Sequence, residues 1–210
     1  LRAASALPRS ATFNDVEVLG GVGAFSFDKI RAAHARFPAL HDVVIEVKGN
    51  YRGENIVPGL QLLLPQLAGF TSITELDLCW QGLVSFPASL CALTGLKKLN
   101  LGGNKIAALP DAIGDLKELT DLNVSDNQLT ALPDTLGALT GLTRLWALNN
   151  KLTTLPDSIA ALTQMKTLYL GGNKFTTLPK PIVKLTSLTT LYLSSNQLVT
   201  LPDSIVALTA

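Results

Sequence analysis

Reactive side chains are scarce in this sequence. It holds two cysteines, two histidines and one methionine among 210 residues. Cys79 and Cys91 are too few for the disulfide framework of a small secreted scaffold. They read as small, buried or half-buried thiols, a usage that leans toward a reducing compartment, so a cytoplasmic location is expected. The two histidines, His34 and His41, both lie in the irregular N-terminal part, and no Cys/His spacing suits a metal ion. The carboxylates recur as solvated repeat positions rather than as a pair in a cleft. Neither catalysis nor a cofactor or metal is therefore expected. Lys+Arg (17) and Asp+Glu (16) nearly cancel, which leaves no basic field for nucleic acid or an anionic membrane. Apolar runs are short and interrupted, too short to span a bilayer as a helix. The opening LRAASALPRS has no methionine, charged n-region or apolar h-region, so an intact signal peptide is not expected and a fragment or processed product is. LGGVGAF (19–25) is glycine-rich but lacks the lysine and Ser/Thr of a phosphate-binding loop, and reads as a turn.

What the chain has in abundance is repetition. Six segments begin at Ile73, Leu96, Leu119, Leu142, Met165 and Leu188, each 23 residues after the last. LKKLNLGGNKIAALPDAIGDLKE and LTTLYLSSNQLVTLPDSIVALTA both fit L-x-x-L-x-L-x-x-N-x-L-x-x-L-P-x-x-I-x-x-L-x-x. Within LxxLxL the last two leucines alternate with an outward residue, the period of a strand, so each repeat should add one parallel strand to a sheet. The inward pairs are expected at Leu76/Leu78, Leu99/Leu101, Leu122/Val124, Leu145/Ala147, Leu168/Leu170 and Leu191/Leu193. Asn104, Asn127, Asn150, Asn173 and Asn196 follow the strands where the chain turns inward, and a stacked side-chain amide there can satisfy backbone donors and acceptors together. The first repeat has Gln81 and Gly82 at this turn, for which a looser path is expected. Each return half starts at a proline (Pro87, Pro110, Pro133, Pro156, Pro179, Pro202), often with an aspartate after it, as suits the start of a short helix.

The whole pattern resembles the leucine-rich repeat proteins. It resembles the 23-residue, LP-containing form of plant intracellular Ras-group proteins, Scribble- and Erbin-like scaffolds, ROCO proteins and several bacterial effectors. The expected fold is an α/β leucine-rich-repeat solenoid (horseshoe), with a parallel concave β-sheet, short convex helices and an N-terminal helical cap. Residues 73–210 form the six repeats. Residues 42–72 read as irregular, degenerate repeats, with DVVIEVKGN (42–50) a strand and Leu60, Leu63, Leu67 and Phe70 in phase. Residues 1–41 read as a flank carrying a capping helix over SFDKIRAAHARF (26–37), with Ser26 as its cap.

A binding module fixes its inward positions and varies its outward ones. The residue between the two strand leucines runs Asp77, Asn100, Asn123, Trp146, Tyr169, Tyr192. Two residues earlier come Glu75, Lys98, Asp121 and Arg144; two residues later Leu148 stands out. Trp146, Tyr169 and Tyr192 should form an aromatic ridge flanked by Leu148, a set of rigid anchors of the kind found at interface hot spots. Glu75, Asp77, Lys98, Asn100, Asp121, Asn123 and Arg144 read as the polar rim that sets orientation. Ala147, inward beside Trp146, reads as a packing accommodation. The glycosylation sequon Asn123-Val124-Ser125 lies on this same face, where a glycan would obstruct binding, and is attributed to chance. The expected function is a protein–protein interaction module, a scaffold or recognition domain of intracellular signalling, with a protein partner on the concave face. The resemblance also implies two alternatives: the substrate-reading part of a larger enzyme (effector ubiquitin ligase or ROCO-type kinase), or an extracellular receptor or adhesion domain. Leu191, Leu193, Leu198, Leu201, Ile205 and Leu208 would leave an apolar C-terminal end, expected to be covered by further chain or by another molecule.

Overall fold

The computed structural model describes residues 64–200 in full, with Gln61 and the backbones of two earlier strands. Eight strands follow one another across a single parallel sheet in chain order. They are β1 (Ser10–Asn14), β2 (Asp42–Glu46), β3 (Ile73–Asp77), β4 (Lys98–Asn100), β5 (Asp121–Asn123), β6 (Arg144–Trp146), β7 (Thr167–Tyr169) and β8 (Thr190–Tyr192). From β3 onward the register pairs Leu76, Leu99, Leu122, Leu145, Leu168 and Leu191 in one row, a constant offset of one repeat. The β2–β3 pairing carries a register shift between Val43 and Val44. This is where the sequence spacing departs from the repeat.

β1 is an addition that the hydrophobic pattern did not announce, since it lies within the segment read as a flank; it pairs in parallel with β2 from Ser10↔Asp42 to Asn14↔Glu46. The capping helix expected at 26–37, Leu60, Leu63 and the last ten positions lie outside the described residues.

The inward pairs hold. Leu76 through Leu170 in the first five pairs are all buried, Ala147 included, and Leu191 and Leu193 pack on the same core while remaining half-buried. Phe175 is fully buried where other repeats place Leu83, Ile106, Leu129 and Leu152. Parallel strands this short cannot bury their leucines alone, and stacking repeat on repeat is what removes them from water.

The convex elements are 3-10 turns of about one and a half windings, the short helices that the proline–aspartate signal suggests. They are η1 (Leu64–Gly69), η2 (Ala88–Ala92), η3 (Asp111–Asp115), η4 (Asp134–Ala138), η5 (Asp157–Ala161) and η6 (Lys180–Lys184). Bonds such as Ile113 N–H to Pro110 O (3.0 Å) close i to i+3, and the elements stay short, five or six residues each, as the poorer 3-10 hydrogen-bond geometry demands. The N-cap residues are prolines, which offer no side-chain capping hydrogen bond, and the aspartates in the first turn of η3, η4 and η5 suit its positive end electrostatically. Gly114 and Gly137 let successive turns approach closely. A Cβ on Gly114 would stand 2.7 Å from the Thr135 carbonyl, and one on Gly137 would run into Ser158.

The asparagines form the predicted ladder. Asn104 Oδ1 accepts from the N–H groups of Gln81 (3.1 Å) and Leu83 (3.0 Å), while its Nδ2 donates to Leu78 O (3.0 Å) and Leu101 O (2.7 Å). Asn127, Asn150, Asn173 and Asn196 repeat the arrangement one winding on. One amide thus satisfies groups of two repeats in a place where water is excluded. Gln81 is buried at the corresponding turn of the first repeat. The residue before each amide has positive φ: Trp80, Gly103, Asp126, Asn149, Gly172 and Ser195. Glycine, aspartate and asparagine suit that conformation; tryptophan does not.

Candidate functional site

The outward side chains of β3 to β8 share one face of the sheet, and the structure divides that face in two. In the first three repeats the central outward residue is short and polar and folds back on its own chain. Asp77 accepts from Cys79 N–H (3.0 Å), Asn100 from Gly102 N–H (3.1 Å) and Asn123 from Ser125 N–H (2.9 Å). These are Asx turns that close the strand end. The sequon amide of Asn123 is therefore part of a turn, and Ser125 beside it is buried.

In the next three repeats the same position is aromatic and cannot fold back. The Trp146 and Tyr169 rings stack with centroids 6.3 Å apart and planes 11° apart; Tyr169 and Tyr192 are 6.0 Å apart and tilted at 57°. Trp146, Tyr169 and Leu148 are half-buried, and Tyr192 is 48% exposed. The aromatic ridge expected from the sequence is present and continuous. Tyr192 leans back over Gly171, where a Cβ would stand 2.7 Å from its ring carbon Cε1. The ridge thus depends on a glycine in the neighbouring repeat.

The rim residues do not all stand free. Lys98 and Glu75 form an exposed ion pair at 2.8 Å. Asp121 departs from its expected role as a solvated rim charge, for its side chain is only 9% exposed. Arg144 Nε donates to Asp121 Oδ1, and the Thr120 hydroxyl donates to Asp121 Oδ2 at 2.7 Å. The reason is the 23-residue register, which sets Asp121 and Arg144 side by side on adjacent strands. The hydrogen bond that Arg144 donates to Asp121 raises the Arg144 pKa above its ordinary value. Arg144 also lies 5.8 Å from the Trp146 ring centroid, within cation–π range. It links the polar half of the face to the aromatic half.

Between the halves lies a pocket of about 240 Å³ lined by Glu75, Asp77, Lys98, Asn100, Asp121, Asn123 and Trp146, with Leu76 and Leu99 at its floor. Sequence reasoning missed Trp80, whose half-buried ring lies against Gly103 at the edge of this face. The sequence CWQ (79–81) where the next repeat has GGN (102–104) is the signal that marks it.

Among the described residues no group of three His, Cys, Asp or Glu side chains is placed to hold a metal ion. No helix there is long and apolar enough to cross a membrane. Neither cysteine is in a disulfide; Cys91 is buried and Cys79 half-buried, and burial together with Asp115 pushes the Cys91 thiol up to about 11.

The family model described as "Leucine-rich repeat region" matches residues 52–172, and one described as "Leucine Rich repeats (2 copies)" matches 163–205. Comparison with curated proteins finds no match. Many solved structures are similar, three of them as follows. A leucine-rich-repeat protein of Leptospira interrogans is 26% identical with TM-score 0.56, over 81% of this chain and 53% of that one. An internalin (inlF) of Listeria monocytogenes is 24% identical with TM-score 0.62, over 83% and 47%, and supports the fold alone. PEPR1–AtPEP1 is 32% identical with TM-score 0.60, over 69% and 21%. The chain spans about half the length of the first two and about a fifth of the third.

Proposed function

Because this chain belongs to the leucine-rich repeat family, we propose that it is a protein-binding module whose concave sheet face recognises a protein partner, as a scaffold or recognition domain in intracellular signalling. The reading includes no catalytic role for these residues and a cytoplasmic setting, the latter in keeping with two cysteines that form no disulfide. The observation that carries it is the row Trp146–Tyr169–Tyr192, three aromatic rings in continuous contact on a partly exposed sheet face. Rigid aromatic side chains lose little rotamer freedom on binding and offer large apolar area, which is why they concentrate in hot spots. PEPR1, a similar structure, is solved with AtPEP1, in keeping with recognition of a second molecule by this kind of fold.

Affinity capture with the chain as bait tests the reading. Proteins retained by the wild type should be lost with Trp146→Ala and kept with the convex-side variants Lys117→Ala and Asp157→Ala. The same proteins retained by all of them would overturn the assignment of the concave face.

A further inference from the structure

The near-cancellation of charge over the whole chain conceals a gradient along the repeats. Residues 73–141 hold eight acidic and four basic side chains, whereas residues 142–200 hold six basic side chains and one acid, Asp157. Asp157 opens η5 on the convex side. Of the six bases, Lys180 and Lys184 lie on the convex η6, and Lys151 and Lys174 follow the ladder asparagines at the turns. Arg144 and Lys166 are the two that stand beside the aromatic ridge. Two cations are too few to track a polyanion, but they suit a single carboxylate.

Their surroundings leave that charge unspent. Arg144 donates to Asp121 through Nε, and its Nη atoms make no hydrogen bond among the described residues. The side chain is 47% exposed. The N–H groups of Lys166 and Thr167 both donate to Thr143 O, at 2.8 and 3.1 Å, which sets Lys166 at the head of β7 beside the residue that precedes Arg144. Lys166 is exposed and has no ionic partner among the described residues. Its flexible four-carbon stem can cross the one strand interval, about 4.8 Å, toward Arg144. Thr167 and Thr190 continue the row of Arg144, and their hydroxyls make no hydrogen bond among the described residues. The acids nearby are already engaged. Asp121 is nearly buried on Arg144 and Thr120, and Asp126, past the far end of β5, accepts from Asn149 at 2.8 Å.

Geometry couples this charge to the ridge. Arg144 and Trp146 are two residues apart on β6, and Arg144 Cζ lies 5.8 Å from the Trp146 ring centroid. Residues two apart in an extended chain face one way and lie about 7 Å from each other. A segment lying along β6 can therefore meet both with neighbouring side chains of one face.

Resting on the reading of the concave face as the binding surface, we infer that the partner segment is acidic where it meets this half of the face. A glutamate or aspartate side chain is held by the Arg144 Nη atoms and the Lys166 ammonium, and two residues away an aromatic or large apolar side chain packs on Trp146 and Tyr169. The carboxylate relieves the repulsion between two neighbouring cations that share only one buried anion. The Trp146 ring excludes water from one side of the pair, which strengthens it.

Acetylated and amidated peptides titrated into the isotopically labelled full chain, with the backbone amides of β6 and β7 followed by NMR, test this. One probe carries glutamate and tryptophan two residues apart in a serine–threonine background, made in both chain orders; a second replaces glutamate by lysine. The glutamate probe should bind at least about tenfold more tightly than the lysine probe, in line with the discrimination that charge juxtaposition gives. Two variants should each cut that preference to about threefold or less. Lys166→Glu reverses an exposed charge, and Arg144→Lys keeps a cation for Asp121 but removes the guanidinium fork. A preference that survives intact in either variant overturns the pairing. Equal binding of the two probes, abolished for both by Trp146→Ala, overturns the inference and leaves the concave reading standing. If both bind and Trp146→Ala changes neither, the inference and the reading fall together. If neither binds, or the lysine probe is preferred, the inference falls, and affinity capture decides the reading separately.

Discussion

Trp146 and Tyr169, one strand apart on the outward face of β6 and β7, stack with their planes 11° from parallel, while Ala147 beside Trp146 is wholly buried. The pleat separates the two neighbours: one faces outward from the sheet and the other faces the core. Trp146→Ala should therefore lower stability by about 1 kcal/mol or less, the range for a partly exposed strand position and one aromatic pair. Leu145→Ala, from the inward row, should cost about 2–5 kcal/mol. Urea denaturation of the two variants checks the contrast.

Two ion pairs on the same face should behave differently. Asp121 is nearly buried and Glu75 is not, although each is paired with a cation on the next strand. Removing Arg144 leaves a buried carboxylate with only the Thr120 hydroxyl, so Arg144→Ala should destabilise by about 1–3 kcal/mol. Lys98→Ala should cost less than about 1 kcal/mol, as for exposed pairs. Double-mutant cycles on Asp121/Arg144 and Glu75/Lys98 should give the larger coupling for the first.

Glycines on the two faces serve different ends. Gly137→Ala would drive a Cβ into the backbone of Ser158 in the next turn, which has no room to retreat. It should destabilise by about 1–3 kcal/mol through overpacking, without touching the concave face. Gly171→Ala meets chiefly the Tyr192 ring, a partly exposed and rotatable group. It should swing that ring away at a cost of about 1 kcal/mol or less and weaken partner binding. Melting curves together with binding measurements separate the two outcomes.

The Cys91 thiol, raised to about 11 from 9.0 by burial and then by Asp115, links stability to alkaline pH. The folded state holds this proton to higher pH than the unfolded one. Its contribution is complete below about pH 9 and is lost as pH rises through about 11. Wild type should therefore lose more stability between pH 9 and 11 than Cys91→Ala does, and Cys91 should resist alkylation at neutral pH until the chain unfolds.

Much of this was legible beforehand because inward residues repeat and outward ones do not. A 23-residue period fixes which residues stack, so the leucine rows, the asparagine ladder and the aromatic ridge all follow from spacing. Asp121 was misjudged because exposure was inferred from alternation alone. A carboxylate one strand from an arginine, with a hydroxyl beside it, folds down and becomes buried while still on the outward face. β1 escaped notice since it precedes any repeat of that length and its partner β2 is itself out of register. Trp80 was hidden in a turn position where glycine or a small polar residue is the rule. The close approach of η3 to η4 and of η4 to η5 depends on Gly114 and Gly137, whose meaning lies in contacts with the next repeat rather than in local sequence.

The most direct test of the central claim is the affinity of the captured partner, by calorimetry, for the wild-type chain and for Trp146→Ala/Tyr169→Ala/Tyr192→Ala, with melting curves recorded on both. The account predicts a folded triple variant with a cooperative transition and a dissociation constant raised by at least about thirtyfold, the factor that corresponds to loss of a hot-spot anchor of about 2 kcal/mol or more. An unchanged affinity in the folded variant would contradict it.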